Sequence, residues 1–382
     1  QLEQPSEVKS STRTGVRPWG AGDCARRVKE SRKREGRRNK RVITVHLSQR
    51  PRFKPNSIVS LECSDRRLVT KNSSHERMKA EDSVDSPVGL YLSVPFCKAK
   101  CSFCNFASDA FGTSKLDAYV DRLCAEIRAA KMAAEQIGAT LDERADSVYF
   151  GGGTPSLLSG AQLRKIFAAM REQFDLANDA EMTLECAPGQ LADETLDELL
   201  RQGVNRISLG VQSFVDRESQ AVGRLHTGAM CEAEIGRLRV AGVREIGLDI
   251  IAGLPHQTNT SWRESVERAV ESGVTHVSMY LLEVDGESRL GREALAGGRR
   301  YSASSLPSED DAAALYEMGC AILEDGGIRQ YEISNFAREG HQSHHNRKYW
   351  MRQPYIGFGL DAHSMLPVGE DAVRFQTTDE LE

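Results

Sequence analysis

From residue 87 onward, short β-branched runs alternate with longer amphipathic stretches, and this rhythm limits the fold more than any other feature of the chain. Six runs read as strands: Leu90–Val94, Ser147–Phe150, Met182–Cys186, Arg206–Val211, Glu245–Ile251 and His276–Leu282. Apolar residues recur at helical spacing near 114–137, 160–174, 192–202, 228–241, 260–272 and 308–325. Strand–helix–strand repeats favour a parallel sheet, because each crossover carries a helix that covers a sheet face. Runs this apolar suit strands covered on both faces. Six units fall short of the eight of a closed barrel. The expected class is therefore α/β, a partial (β/α)6 TIM-like barrel. One more short strand is expected at Gln330–Ser334, and residues 375–382 show no closing element.

Charge divides the chain. Residues 1–77 hold 20 Lys and Arg against 8 Asp and Glu, which leaves 30 against 47 for the remainder. The basic segment has little to bury, so disorder is expected there. Met78 stands just before the first strand as a natural start, and residues 1–86 read as a disordered or non-native extension. The run Arg26–Arg41 would suit nucleic acid, but with hardly an aromatic residue beside it no nucleic-acid partner is expected. Residues 87–300 read as one core and 301–382 as the start of a further, incomplete domain. No apolar run reaches bilayer length, and the first residues of the sequence show no signal-peptide pattern. A cytoplasmic protein with at most peripheral membrane contact is expected.

Nine cysteines are too few and too uneven for a disulfide framework. Three of them, Cys97, Cys101 and Cys104, follow the first strand in a C-x3-C-x2-C pattern. Soft thiolates suit iron–sulfur clusters. A [4Fe–4S] cube normally takes four cysteines, so three leave one iron open, as in a catalytic metal site. A structural zinc site is the alternative. It needs a fourth ligand, and the nearest downstream Cys and His are Cys124, on a predicted helix, and His226. After the second strand comes Tyr149–Pro155, with three glycines whose backbone can approach a ligand closely and offer it N–H groups. Glu185, Gln212 and Asp249 stand at later strand ends, where ligands of α/β folds bind.

C-x3-C-x-aromatic-C after a first strand resembles the signature of the radical SAM superfamily. The resemblance implies that Cys97, Cys101 and Cys104 hold a [4Fe–4S] cluster whose open iron takes the amino and carboxylate groups of S-adenosylmethionine (SAM). One electron from the cluster then cleaves SAM to methionine and a 5′-deoxyadenosyl radical. By position Tyr91, Gly152, Gly153, Thr154, Glu185, Gln212, Arg224 and Asp249 match SAM-contacting residues, and Phe103 lies against the adenine.

Val222–His226 (V-G-R-L-H) and Gly253–Pro255 extend the likeness to one branch, which holds oxygen-independent coproporphyrinogen III dehydrogenase (HemN) and the heme chaperone HemW. The dehydrogenase pattern carries an extra cysteine where this chain has Phe106. The H-N-x-x-Y-W motif at residues 345–350 resembles the heme-associated motif of HemW. It implies heme as a further ligand, touched by His345, with His344 and His341 as neighbours able to substitute. Tyr349 and Trp350 offer broad faces to a porphyrin. The first reading is a heme chaperone without a catalytic residue, whose partners are heme and heme-accepting apo-proteins of the respiratory chain. The alternative is the dehydrogenase. The family continues past Gly357–His363 into a C-terminal domain, most of which is expected to be missing here.

Overall fold

The computed structural model of the chain describes residues 86–108, 110 and 115–378. The basic extension, up to residue 85, and the last four residues lie outside them. All six expected strands form: β1 (Val88–Val94), β2 (Arg144–Gly152), β3 (Asp175–Cys186), β4 (Arg206–Gln212), β5 (Glu245–Ala252) and β6 (His276–Leu281). They pair in that order, each parallel to the next.

The crossovers carry α1 (Leu116–Arg128), α2 (Ala130–Gln136), α3 (Gly160–Gln173), α4 (Asp193–Gln202), α5 (Asp216–Ala221), α6 (Gly228–Val240) and α7 (Asn259–Glu271). In α1 the buried residues Leu116, Tyr119, Val120, Leu123, Cys124 and Ile127 recur at i, i+3 and i+4, the stripe that seats a helix on a sheet. Ser159 caps α3 in a reciprocal box with Gln162, which satisfies two of the amides a helix start leaves open. The helix expected across 114–137 is two helices meeting at Ala129.

The strands are apolar on one face only. Leu90, Leu92, Val148, Phe150, Leu184, Ile207, Leu209, Leu248, Ile250, Val277 and Met279 are buried and alternate with polar neighbours. The register aligns one polar row of Tyr91, Tyr149, Thr183, Arg206 and Glu245, and a second of Glu185, Ser208, Gly247 and His276. A single cavity of about 200 Å³ touches residues of all six strands on this polar face, so the sheet curls around it as a partial barrel. A (β/α)8 barrel normally fills its interior with branched apolar side chains. The polar filling here departs from that packing.

Beyond β6 lie α8 (Arg289–Leu295), α9 (Glu309–Asp325), β7 (Arg329–Gln330), β8 (Asn335–Ala337), α10 (His344–Met351), β9 (Tyr355–Phe358), β10 (His363–Val368) and β11 (Asp371–Gln376). The strand expected at Gln330–Ser334 is in fact the turn of a hairpin. Arg329 pairs with Ala337 and Gln330 with Phe336, while the Tyr331 and Glu332 amides donate to the Asn335 carbonyl. Strand β8 joins β6 antiparallel, and β9 joins the free edge of β1 in parallel, so both ends of the sheet are extended by the last third of the chain. Strands β10 and β11 pair antiparallel, and β11 runs to Gln376, into the segment where no closing element was expected.

Candidate functional site

The cysteine loop lies over the C-terminal ends of the strands. Ser102 N–H donates to the Val222 carbonyl (3.0 Å) and Leu290 N–H to that of Ser102 (2.8 Å). No disulfide involves Cys97, Cys101 or Cys104. Burial pushes the Cys97 and Cys104 thiols up from their ordinary value, hydrogen bonds from Ser108 oppose this in both, and the neighbouring thiols raise them further. The three are thus near enough to feel one another. Arg224 reaches across with Nη1 donating to Cys101 Sγ (3.4 Å) and Nη2 to the Gly210 carbonyl. Its Nε is buried without a partner.

The glycine loop is locked to the cysteine loop. Gly153 N–H donates to the Val94 carbonyl and Thr154 N–H to that of Phe96, each at 2.8 Å. Gly152 N–H serves Glu185. These amides are therefore taken by protein, contrary to the expectation that they face a ligand. A Cβ at Gly153 would lie 2.7 Å from the Val94 oxygen and 2.8 Å from that of Phe96. Both are backbone atoms that cannot swing aside. Gly153→Ala should cost about 1–3 kcal/mol by overpacking, read by thermal unfolding, and should displace the cysteine loop. Thr154 sits beside Cys97 and hydrogen-bonds it.

Below this loop Glu185 accepts from Tyr149 Oη (2.9 Å) and Asp249 from Ser208 Oγ (3.1 Å). Burial and the charge of Asp249 push Glu185 up to about 8, and burial pushes Asp249 up to about 6. Two buried carboxylates with too little positive charge around them suit a ligand that brings a positive charge or hydrogen-bond donors. Gln212 ends β4 with φ of 67°, a conformation non-glycine residues rarely adopt outside constrained sites. Its side chain and that of Arg224 both approach Gly210. Tyr91 stacks on Tyr149, with centroids 6.0 Å apart. Phe103 packs into an apolar group with Val222, Ile251, Leu254, Leu290 and Ala303.

The H-N-x-x-Y-W motif forms α10, and α10 plugs the opposite end of the barrel. His345 is buried. Its Nδ1 shares a hydrogen bond with Ser147 Oγ (2.9 Å) and its Nε2 one with Tyr349 Oη (2.8 Å). Its ring stacks 5.4 Å from Tyr149. As folded, His345 has no free ring nitrogen to offer an iron, which revises the expectation placed on it. Residues invisible to motif reading hold the plug. Glu181 Oε1 accepts from Ser343 Oγ (2.9 Å) and His345 N (3.0 Å), and its Oε2 from His344 N and Arg206 Nε, both at 3.0 Å. Lys348 Nζ, buried, meets Asp146 Oδ1 at 2.8 Å and donates to the Pro87 carbonyl at 2.8 Å.

Three buried imidazoles make the fold acid-sensitive. Burial lowers His226 to about 4, and His276 and His345 to about 3. Between those values and the ordinary 6.5 the unfolded chain binds more protons, so stability rises with pH there. Their contribution is complete above about pH 6.5 and is lost as pH falls through 4 and 3. The raised carboxylates act oppositely, with a stabilising contribution lost as pH rises through 6 for Asp249 and 8 for Glu185. Three histidines outweigh two carboxyls below pH 6.5, so the ligand-free melting temperature should fall from pH 6.5 to pH 5, as calorimetry would record.

The Radical SAM superfamily profile matches residues 91–269. The fold likeness is to coproporphyrinogen III oxidase (HemN) from Escherichia coli, a radical SAM enzyme, with a TM-score of 0.65 and 26% identity over 77% of this chain and 67% of that one. The heme chaperone HemW of Lactococcus lactis is 35% identical over 74% of this chain and 71% of its own length. HemW of Escherichia coli is 32% identical over 72% and 70%. The mouse protein named radical S-adenosyl methionine domain-containing protein 1, mitochondrial, is 32% identical over 74% and 61%. The chain belongs to the radical SAM superfamily and, within it, to the HemW family. Membership implies a [4Fe–4S] cluster and SAM. Among the described residues no helix is long and apolar enough to cross a membrane.

Proposed function

We propose that this chain is a heme chaperone that binds heme and passes it to apo-proteins, with its cluster and SAM site serving purposes other than porphyrinogen decarboxylation. The cluster would be held by Cys97, Cys101 and Cys104. SAM would lie among Tyr91, Gly152, Gly153, Thr154, Glu185, Gln212, Arg224 and Asp249, with Phe103 beside its adenine. When bound, the cluster supplies an open iron for the amino and carboxylate groups of SAM and an electron to cleave it.

One observation carries the reading. Helix α10 fills the barrel from below, and the cavity that its His345, Asn346 and Tyr349 line together with Tyr91 and Tyr149 is about 200 Å³. Pockets that enclose drug-sized ligands run from roughly 300 to 1,000 Å³, and a tetrapyrrole needs the upper part of that range. A cavity of that size is too small to enclose a porphyrinogen. Phe106, exposed by 63%, stands where the dehydrogenase pattern has a cysteine. Heme-accepting proteins of the respiratory chain and a cytoplasmic setting belong to the same proposal.

The likeness in fold to HemN favours a second reading, a radical SAM dehydrogenase of coproporphyrinogen III. The test is transfer. Heme-loaded chain is mixed with an apo-globin, and in parallel the anaerobic protein with SAM and reductant is given coproporphyrinogen III. The chaperone reading expects the globin spectrum to grow while no porphyrinogen is decarboxylated. Sustained decarboxylation would replace it with the second reading.

A further inference from the structure

The segment that carries the heme-associated motif holds three imidazoles, and the fold treats each differently. His345 has both nitrogens engaged inside the barrel. His344, its side chain 44% exposed, binds Asp146 Oδ2 through Nε2 at 2.8 Å. This leaves Nδ1, the nitrogen next to Cβ, where the residue's own backbone crowds a flat macrocycle. His341 is the reverse. Its Nδ1 meets both oxygens of Glu245, at 3.0 and 2.9 Å. Its side chain is 38% exposed, and Nε2, the unhindered nitrogen, makes no hydrogen bond among the described residues.

An imidazole whose Nδ1–H is held by a carboxylate has its tautomer and orientation set for a metal. Glu245 is itself fixed, since its Oε2 accepts from Thr275 Oγ1 at 2.7 Å. The His341 carbonyl accepts from Arg206 Nη2 at 3.1 Å, so the backbone is anchored on the barrel floor as well. Downstream on the same segment, Tyr349, Trp350 and Met351 are exposed by 39%, 53% and 43%. These are flat or soft apolar surfaces of the kind a porphyrin covers.

Resting on the heme-chaperone reading, we infer that heme iron is ligated by His341 through Nε2, outside the barrel floor, and not by His345 of the motif. Glu245 is then a positioning residue behind the ligand. The placement has a consequence. His341 sits at the N-terminal end of β5, and the cysteine loop lies over the C-terminal ends. At about 3.3 Å per residue, the eight residues of Glu245–Ala252 put heme roughly 20 Å or more from the cluster. The SAM site therefore does not reach the porphyrin.

The test uses the full chain, reconstituted anaerobically and titrated with hemin, with His341→Ala, His341→Met, His344→Ala and His345→Ala alongside. Circular dichroism checks that each variant folds. The inference expects His341→Ala to weaken binding by about tenfold or more. It also expects His341→Met to bind with a spectrum shifted from imidazole to thioether ligation, and His344→Ala to match the unaltered chain. It further expects a distance near 20 Å or more between ferric heme and reduced cluster by pulsed electron paramagnetic resonance. Heme binding that survives both His341 changes with an unaltered spectrum, or that is lost only in His345→Ala or His344→Ala, overturns the assignment and leaves the chaperone reading standing. An unaltered chain that binds no heme overturns both.

Discussion

Replacing Glu181 with Ala should remove roughly 3–5 kcal/mol of stability and release α10 from the barrel floor. Glu181 is the counter-ion of Arg206, whose side chain is only 7% exposed, and the next acid, Glu245, stands 4.0 Å from it. Without Glu181 the guanidinium is buried with a poor partner, and one of its nitrogens, Nη1, already lacks one. The same carboxylate accepts the amides of His344 and His345 at the start of α10, where a helix leaves its N–H groups open and favours negative charge. The loss thus falls on two elements together. At 2–4 °C per kcal/mol for a domain of this size, the melting temperature should drop by about 10 °C. Amide exchange in α10 should rise more than in β4. An unchanged exchange rate in α10 would show that the plug is held from elsewhere, with the Lys348–Asp146 pair the first candidate.

Cys101→Ala should abolish the cluster. Cys101 is one of three thiols crowded on one loop and the one touched by Arg224. A cube already short of its fourth cysteine has no spare ligand. Iron bound after anaerobic reconstitution should fall from about four per chain to background, with loss of the broad visible absorption. Cys124→Ala is the control. Cys124 is fully buried in α1 and packs as a small apolar residue, so that variant should keep its iron and lose only some stability. Equal iron in the two variants would remove Cys101 from the ligand set.

The parts legible in the sequence are those written in local pattern. Apolar runs at Leu90–Val94 and Glu245–Ile251 marked strands, and helix spacing marked the crossovers. The cysteine spacing with the glycines at 151–153 marked the two loops that meet at the barrel mouth, and those loops do interlock through Val94 and Phe96. What escaped is non-local. Glu181 sits mid-strand with no motif around it, and only the fold brings it to Ser343, 162 residues later. Nothing near Tyr355–Phe358 says that it pairs with β1. The motif histidine was expected to touch heme, because the neighbours that bury it, Ser147 and Tyr149, belong to a strand almost two hundred residues away. Glycine amides looked available because their partners lie on another loop. Such pairings follow from sheet register, which the alternation of one strand does not disclose.

Heme titration of the anaerobically reconstituted chain, followed by absorbance, tests the account most directly. Saturation at one heme per chain, with no protoporphyrinogen formed when coproporphyrinogen III, SAM and reductant are supplied, is the predicted result. Failure to saturate, together with steady protoporphyrinogen formation, would contradict it.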